Sequence, residues 1–341
     1  MASSKLRIAV IMGGRSSEHE ISLASARSVL ESLDPERYEV RHIEIGRDGR
    51  WELPRAPQLE LGKGGYEKLP VPLDGSPQPL ESFDVVFPVL HGPFGEDGTV
   101  QGFLELAGVA YVGAGVTASA LCMDKDLFKA VMRDKGIPVV DSVTVLERNR
   151  HGVENPFGYP VVVKPARLGS SVGITMVGSA DKLGPALDLA FQHDEKVLLE
   201  EYVSGVEVEC SVLGNDEPFA SIPGEIVPLV SDWYDFSAKY DEGGMDLIVP
   251  PRLDDATIAR VQELAVAAFV ASDCEGMARV DFFVRENGEV VVNELNTIPG
   301  FTSTSVYAKL FEASGISYAE LLDRLVELAL ERKDRRERLE Y

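Results

Sequence analysis

The residues with the most chemistry per position lie near the C-terminal end, in the stretch Gly276 to Gly300, GMARVDFFVRENGEVVVNELNTIPG. Arg279, Asp281, Phe283 and Arg285 fall on one face of a strand, and Glu294 and Asn296 share a face of the next, because side chains alternate along an extended chain. Asn287-Gly288 between them accepts the positive φ angles of a two-residue hairpin turn. That register sets Arg285 opposite Val290, Phe283 opposite Val292, Asp281 opposite Glu294 and Arg279 opposite Asn296. Two carboxylates directly across a strand pair repel, and apolar neighbours strengthen the repulsion. A cation between them removes it. Asp281, Glu294 and the Asn296 oxygen form a hard-oxygen set suited to Mg²⁺ that also holds a nucleotide phosphate. The alternatives are that one carboxylate is protonated, or that the turn is longer and the register slips.

A phosphate needs cations and free backbone amides. Lys164 closes the apolar strand YPVVVKP and opens the loop ARLGSSVG. Gly169, Ser170, Ser171 and Gly173 would let backbone N–H groups approach a polyphosphate closely. Otherwise Lys164 is a surface lysine with a buried stem. The P-loop pattern GxxxxGK[ST] is absent. Lys125 begins a predicted helix over 125–135, ended by Gly136 and Pro138, and would supply a second ammonium. Taken alone, a lysine there is more often a surface residue. Glu200-Glu201-Tyr202-Val203 follows a buried strand. It offers an acceptor, a backbone edge and an apolar side chain to an adenine, or it is simply a strand end with a solvated acid pair.

Three units position these groups. The first, 1–121, is predicted as a doubly wound α/β domain with strands at Leu6–Met12, Tyr38–Ile45 and Phe83–Leu90 and helices at 18–33 and 99–107. The turns GGRSS and HGPFGEDG put Glu18 and His91 at the carboxyl ends of its strands, where such sheets bind ligands. The second, 122–215, is predicted as an α+β unit. The third, 216–341, holds a long segment 226–249 expected to be a mobile lid, a helix over 256–272, the hairpin, a helix over 318–332 and a charged, solvated tail.

Composition narrows the partners. The chain has 341 residues, with Asp+Glu 56 against Lys+Arg 33 and a net charge of -23. Such a surface repels nucleic acid and anionic membranes, while a local basic cluster still serves a small anion. Cys122, Cys210 and Cys274 are far apart with no CxxC pair, so free thiols are expected rather than zinc or disulfides. Neither a signal peptide nor a membrane span is legible, and a cytoplasmic protein is expected.

The assembled motifs resemble the ATP-grasp superfamily and, within it, the D-alanine-D-alanine ligases. GGRSSEHEIS, HGPFGEDGTVQG, YVGAGVTASALCMDK, VVVKPARLGSSVGI, FSAKY, ARVDFF and NELNTIPGFT stand in that family's order from Leu6 to Leu310. The resemblance implies a three-domain architecture and ATP-dependent joining of two D-alanines through an acylphosphate, for peptidoglycan precursors. It implies Mg²⁺, or Mn²⁺ in its place, on Asp281, Glu294 and Asn296. Lys125, Lys164, Ser171 and Lys239 would hold the phosphates, and Glu200, Tyr202, Val203 and Glu207 the adenosine. Arg279 and the Gly300 amide would form an oxyanion hole. Glu18 and His91 would meet the first D-alanine, and Ser305 and Val306 the carboxylate of the second. Ser170 would link Glu18 to Tyr240 on the lid. A homodimer is expected. Two other readings stay open: a ligase that joins D-alanine to D-lactate, and a relative that binds nucleotide without turnover. Segments 47–78 and 311–341 carry no motif of the family.

Overall fold

The computed structural model describes residues 5–52, 80, 82–169, 172–229 and 244–340. Ser170, Ser171, Lys239, Tyr240 and the centre of the expected lid lie outside them.

The first sheet runs β3-β2-β1-β4-β5. Strands β1 (Leu6–Gly13), β2 (Tyr38–Ile45), β4 (Val85–Pro88) and β5 (Ala110–Tyr111) are parallel, and β3 (Trp51–Glu52) pairs antiparallel at the edge. Alternation along β1 feeds two cores. Ile8 and Val10 meet Ala26 and Val29 of α1 (His19–Ser32), while Ala9 and Ile11 meet Val100 and Leu104 of α2 (Thr99–Leu106). A strand apolar on both sides is what a sheet covered on both faces requires. This is the doubly wound domain that the strand–helix alternation predicts.

The central sheet is antiparallel, in the order β6-β9-β7-β8. It comprises β6 (Ser142–Leu146), β7 (Val161–Pro165), β8 (Thr175–Val177) and β9 (Lys196–Glu201). Val161, Val163, Val197 and Leu199 pack against Leu183, Leu187 and Ala190 of a helix at Leu183–Ala190. Their alternates, Val162, Lys164 and Glu200, therefore face a cavity on the opposite side.

The third sheet has six strands: β10 (Gly205–Gly214), β11 (Phe219–Ala220), β12 (Gly224–Pro228), β13 (Met245–Ile248), β14 (Gly276–Arg285) and β15 (Val290–Asn296). Three sequence expectations change here. Strand β10 falls within the expected central unit, 122–215, but it pairs β14 over ten positions, from Gly205↔Arg285 to Gly214↔Gly276. Segment 226–249 is not loop at its ends, since β12 and β13 pair antiparallel; four residues, MDLI, are too few to show a period. A helix at Val116–Met123 has no cap signal and goes unread, yet it and the helix Lys125–Asp134 pack on this sheet through Ala118, Cys122, Phe128 and Met132. All three cysteines are free and buried, as expected.

The hairpin itself departs from the simple register. Gly288 N–H donates to the Arg285 carbonyl and Arg285 N–H to that of Glu289, so the loop has one residue more than two. Gly288 takes the left-handed conformation (φ 83°) that this longer turn needs. The pairs become Val284↔Val290, Phe283↔Val291 and Phe282↔Val292, not Arg285↔Val290 and Phe283↔Val292. An irregularity after Asp281 then restores Asp281↔Glu294 and Arg279↔Asn296. Asn293 is the extra residue of that bulge. It leaves Val292 and Leu295 in the core and puts Asn293 and Glu294 together on the cavity side.

The last helix, Tyr318–Arg336, outruns its expected end at 332, and the tail is not merely solvated. Arg332 is buried, donates to the carbonyls of Tyr111 (2.7 Å) and Gly113, and stacks 4.2 Å from the Tyr111 ring centre. Arg335 and Arg336 pair with Glu275. No described helix is long and apolar enough to cross a membrane.

Candidate active site

Two cavities meet at the hairpin. The first, of about 330 Å³, lies between the central and third sheets and is lined by Lys125, Lys164, Glu200, Tyr202, Val203, Glu207 and Glu294. The second, of about 450 Å³, lies between the first domain and the third sheet. Glu18, His91, Arg279, Asn296, Gly300, Ser305 and Val306 line it, with Glu294 again. Gly169 also borders both. Every described candidate except Asp281 lines one cavity or the other. Asp281 lies 2% exposed beneath them.

The cationic end of the first cavity is built from buried lysines. Lys125 Nζ donates to the Leu168 carbonyl at 2.9 Å and lies 3.3 Å from Glu294 Oε2. Asp124 caps its helix by accepting from the Leu127 N–H, which fixes the first turn on which Lys125 rides. Lys164 Nζ lies 2.7 Å from Glu200 Oε2 and 3.2 Å from Asn293 Oδ1. Glu200 is thus no solvated strand end. Its outer neighbour Glu201 turns away to pair with Arg285.

Each of the facing carboxylates of the hairpin has a cationic side chain beside it. Arg279 donates to Asp281 through Nε (2.7 Å) and Nη2 (2.8 Å), and Nε lies 2.9 Å from Glu209 Oε2. Asn296 Nδ2 donates to Asp281 Oδ2 at 3.0 Å. Glu294 has Lys125. Each carboxylate is therefore balanced by its own cation. Among the described residues no three His, Cys, Asp or Glu side chains gather as a cage. The oxygens nonetheless fit a hard divalent ion. Glu294 is partly open, Asn296 keeps its Oδ1, and Asp281 keeps a lone pair beyond the three bonds it accepts. Mg²⁺ characteristically takes one or two carboxylates and completes its shell with phosphate oxygens and water.

In the second cavity Glu18 is buried at the turn into α1. His91 Nδ1–H donates to the Ile298 carbonyl (3.0 Å), and Nε2 accepts from Ser25 Oγ (3.2 Å). Burial holds the imidazole below its usual pKa against the pull of Glu18, so this neutral arrangement persists at pH 7. Glu96 accepts from the N–H groups of Gly92 (2.7 Å) and Ile298 (3.1 Å). Burial, and then the charge of Glu18, push its carboxyl up to about 8. Ser305 stands at the N-cap position of the helix Val306–Ala313 with its hydroxyl donating to the Thr302 carbonyl (2.8 Å), and the helix N-terminal end faces the cavity, a place that favours a carboxylate.

Asn293, Glu96 and Ser25 line these cavities, and Lys129 and Glu209 lie buried behind them, beyond the residues the sequence singles out. Lys129 was legible as the residue one helical turn after Lys125, and Glu209 as the strand alternate of Glu207. Asn293 was not, because alternation without the bulge sends it to the other face.

A lysine-lined cleft between two antiparallel sheets, closed by an acidic hairpin, defines the ATP-grasp class of ligases. Residues 7–114 match the family described as D-ala D-ala ligase N-terminus, and residues 131–327 match D-ala D-ala ligase C-terminus. The chain belongs to the D-alanine–D-alanine ligase family. It is 46% identical over 350 residues to a D-alanine--D-alanine ligase of Thermoanaerobacter sp. (strain X514), covering 96% of this chain and 97% of the relative. Against D-alanine--D-alanine ligase A of Escherichia coli (strain K12) the identity is 42% over 353 residues, with 96% of each covered. The D-alanine-D-alanine ligase structure from Coxiella burnetii superposes with a TM-score of 0.83 at 38% identity, over 98% of this chain and 97% of that one. The VanG D-Ala:D-Ser ligase from Enterococcus faecalis gives 0.81 at 37%, over 96% and 100%.

Proposed function

We propose that this chain joins two D-alanines to D-alanyl-D-alanine, consuming ATP and releasing ADP and phosphate, for peptidoglycan precursor synthesis. The observation that carries the reading is the wall shared by the two cavities. Glu294 and Gly169 border both, so a nucleotide's terminal phosphate in the first cavity meets a carboxylate in the second.

Glu18 binds the ammonium of the first D-alanine, with His91 beside it. Its carboxylate then points toward Arg279 and the shared wall. Lys125 and Lys164 draw charge from the phosphates, which lowers the repulsion between two anions. A bound Mg²⁺, held by Asp281, Glu294 and Asn296, would supply further neutralisation there. The phosphoryl group passes to the carboxylate, and the amine of the second D-alanine attacks the resulting acylphosphate. Arg279 and the Gly300 N–H stabilise the oxyanion of the tetrahedral centre. Ser305 and the amide of Val306 hold the second carboxylate. Glu200, Tyr202, Val203 and Glu207 contact the adenosine. A homodimer belongs to the same reading, and the mass in solution by light scattering decides it.

The test measures phosphate release and product mass with D-alanine alone, with D-alanine plus D-lactate or D-serine, and with no amino acid. D-Alanyl-D-alanine as the main product is the expected result. A mixed product would make the chain a ligase of another second substrate, and tight ATP binding with no release would make it a binding protein.

Gly92 gives a sharper test of the first subsite. Its φ is +73°, and a Cβ there would sit 2.5 Å from Glu18 Oε2. Gly92→Ala therefore combines left-handed strain of about 1–2 kcal/mol with displacement of the Glu18 carboxylate. The KM for the first D-alanine should rise at least tenfold, with the KM for ATP unchanged. Equal rises in both would mean that Glu18 does not serve that subsite.

A further inference from the structure

Helix Lys125–Asp134 carries two lysines on one face, four residues and about 6 Å apart along its axis. Lys125 lines the first cavity beside Glu294. Lys129 is 0% exposed, behind the cavity wall. Its Nζ lies 3.0 Å from Glu200 Oε1 and 3.3 Å from the Val140 carbonyl. Glu200 is 3% exposed, holds Lys164 on its other oxygen at 2.7 Å, and lines the cavity next to Tyr202 and Val203.

The cluster is costly unless it does something. A buried ion pair adds little net stability over an apolar pair of the same volume, and a methionine would suit this helix face, which already buries Met132. The arrangement makes sense when a nucleotide enters. Lys164 is then shared with phosphate, and a buried carboxylate that loses its counter-charge takes up a proton. Lys129, cut off from the cavity, stays on Glu200. Burial alone would raise the Glu200 carboxyl, but the charges of Lys129 and Lys164 hold it below its ordinary value. An ionised carboxylate accepts a hydrogen bond and donates none. Against a base in the cavity it would accept from the exocyclic amine of adenine and repel the carbonyl that guanine has at the same position. A protonated Glu200 would donate to that carbonyl and lose the distinction.

We propose that Lys129 is a positioning residue for nucleotide choice, holding Glu200 ionised and in place so that the cavity takes adenine and refuses guanine. The proposal rests on the reading of this cavity as the ATP site.

The experiment measures the dissociation constants of ADP and GDP by calorimetry, and KM and kcat for ATP, in Lys129→Met, Glu200→Gln and the double variant. Lys129→Met should raise the KM for ATP roughly tenfold or more, the size of a lost hydrogen bond to a charged group. Its kcat at saturating ATP should stay within about threefold. The preference for ADP over GDP should fall by a similar factor of about ten. Glu200→Gln should lower the preference too, and adding Lys129→Met to it should change nothing further, because an amide needs no counter-ion. The double variant carries the test if Lys129→Met alone fails to fold. An unchanged ADP/GDP preference in Glu200→Gln, or a further tenfold loss in the double variant, overturns the proposal. Lys164→Met separates the two levels. If it leaves ADP binding untouched, the nucleotide reading of the cavity fails. If it weakens ADP while Lys129→Met does not alter the preference, only the role of Lys129 fails.

Discussion

Arg279→Met should slow ligation by roughly a hundredfold or more and give a protein that melts well below the native one. Arg279 is the fork that closes on Asp281 with two hydrogen bonds and reaches Glu209 with the same Nε. The two carboxylates are 3% and 1% exposed as side chains, and they face each other across β10 and β14. Methionine fills the space but takes the guanidinium charge away from both carboxylates. Breaking a buried pair this way costs about 3–5 kcal/mol. The chemical loss is separate. Removing one oxyanion donor slows acyl transfer by roughly 10²–10³-fold, and a displaced Asp281 would add a metal-site defect. Arg279→Lys separates the two effects. It keeps one positive charge but loses the planar fork. It should recover most of the melting temperature and little of the rate. Thermal melts beside steady-state kinetics on all three proteins decide the matter. A methionine variant that turns over within tenfold of native would remove Arg279 from the reaction.

Glu294→Gln should cost about a thousandfold in turnover at low magnesium, in the range of losing one electrostatic partner at the reacting phosphate, with the fold intact. The side chain is 17% exposed, and its partner Lys125 keeps the Leu168 carbonyl. The pair is open mainly on the Glu294 side, and the glutamine oxygen can still accept from Lys125, which limits the loss of stability. The amide retains one acceptor oxygen but no charge. Magnesium should therefore bind more weakly, and saturating metal should recover part of the rate. A magnesium titration of activity is read beside melts with ADP, with and without EDTA. In the native protein the metal should raise the ADP-bound melting temperature, and in the variant that increment should shrink. Full activity of the variant at low magnesium would show that Glu294 holds no metal. An equal melting increment in both proteins would place the metal elsewhere.

How much of this was legible from the chain differs from residue to residue. Lys164, Glu200 and the acidic hairpin announced themselves, because strand alternation and glycine turns are local properties. The pairing of Asp281 with Glu294 was also legible, although through a turn the chain does not make. The longer loop shifts the register by one, and the bulge at Asn293 shifts it back. Two compensating errors left the critical pair in place. What relieves that pair was not legible at all. Arg279 lies two residues from Asp281 on the same strand, but nothing local says that its guanidinium, while lining the cavity, also closes on Asp281 and Glu209.

The sequence by itself determined the doubly wound first domain, the acidic hairpin, the lysine and acid groups and the family, because each depends on patterns a few residues long and on their order along the chain. Only the tertiary structure decided which groups share a wall. Glu18 and Ser305 line one cavity from positions 287 residues apart, and Lys129 meets Glu200 behind the other across 71. Burial decided the rest. A lysine in a helix reads as a surface residue until the sheets close over it. Once they do, the low-polarity interior makes its charge the partner that Glu200 requires.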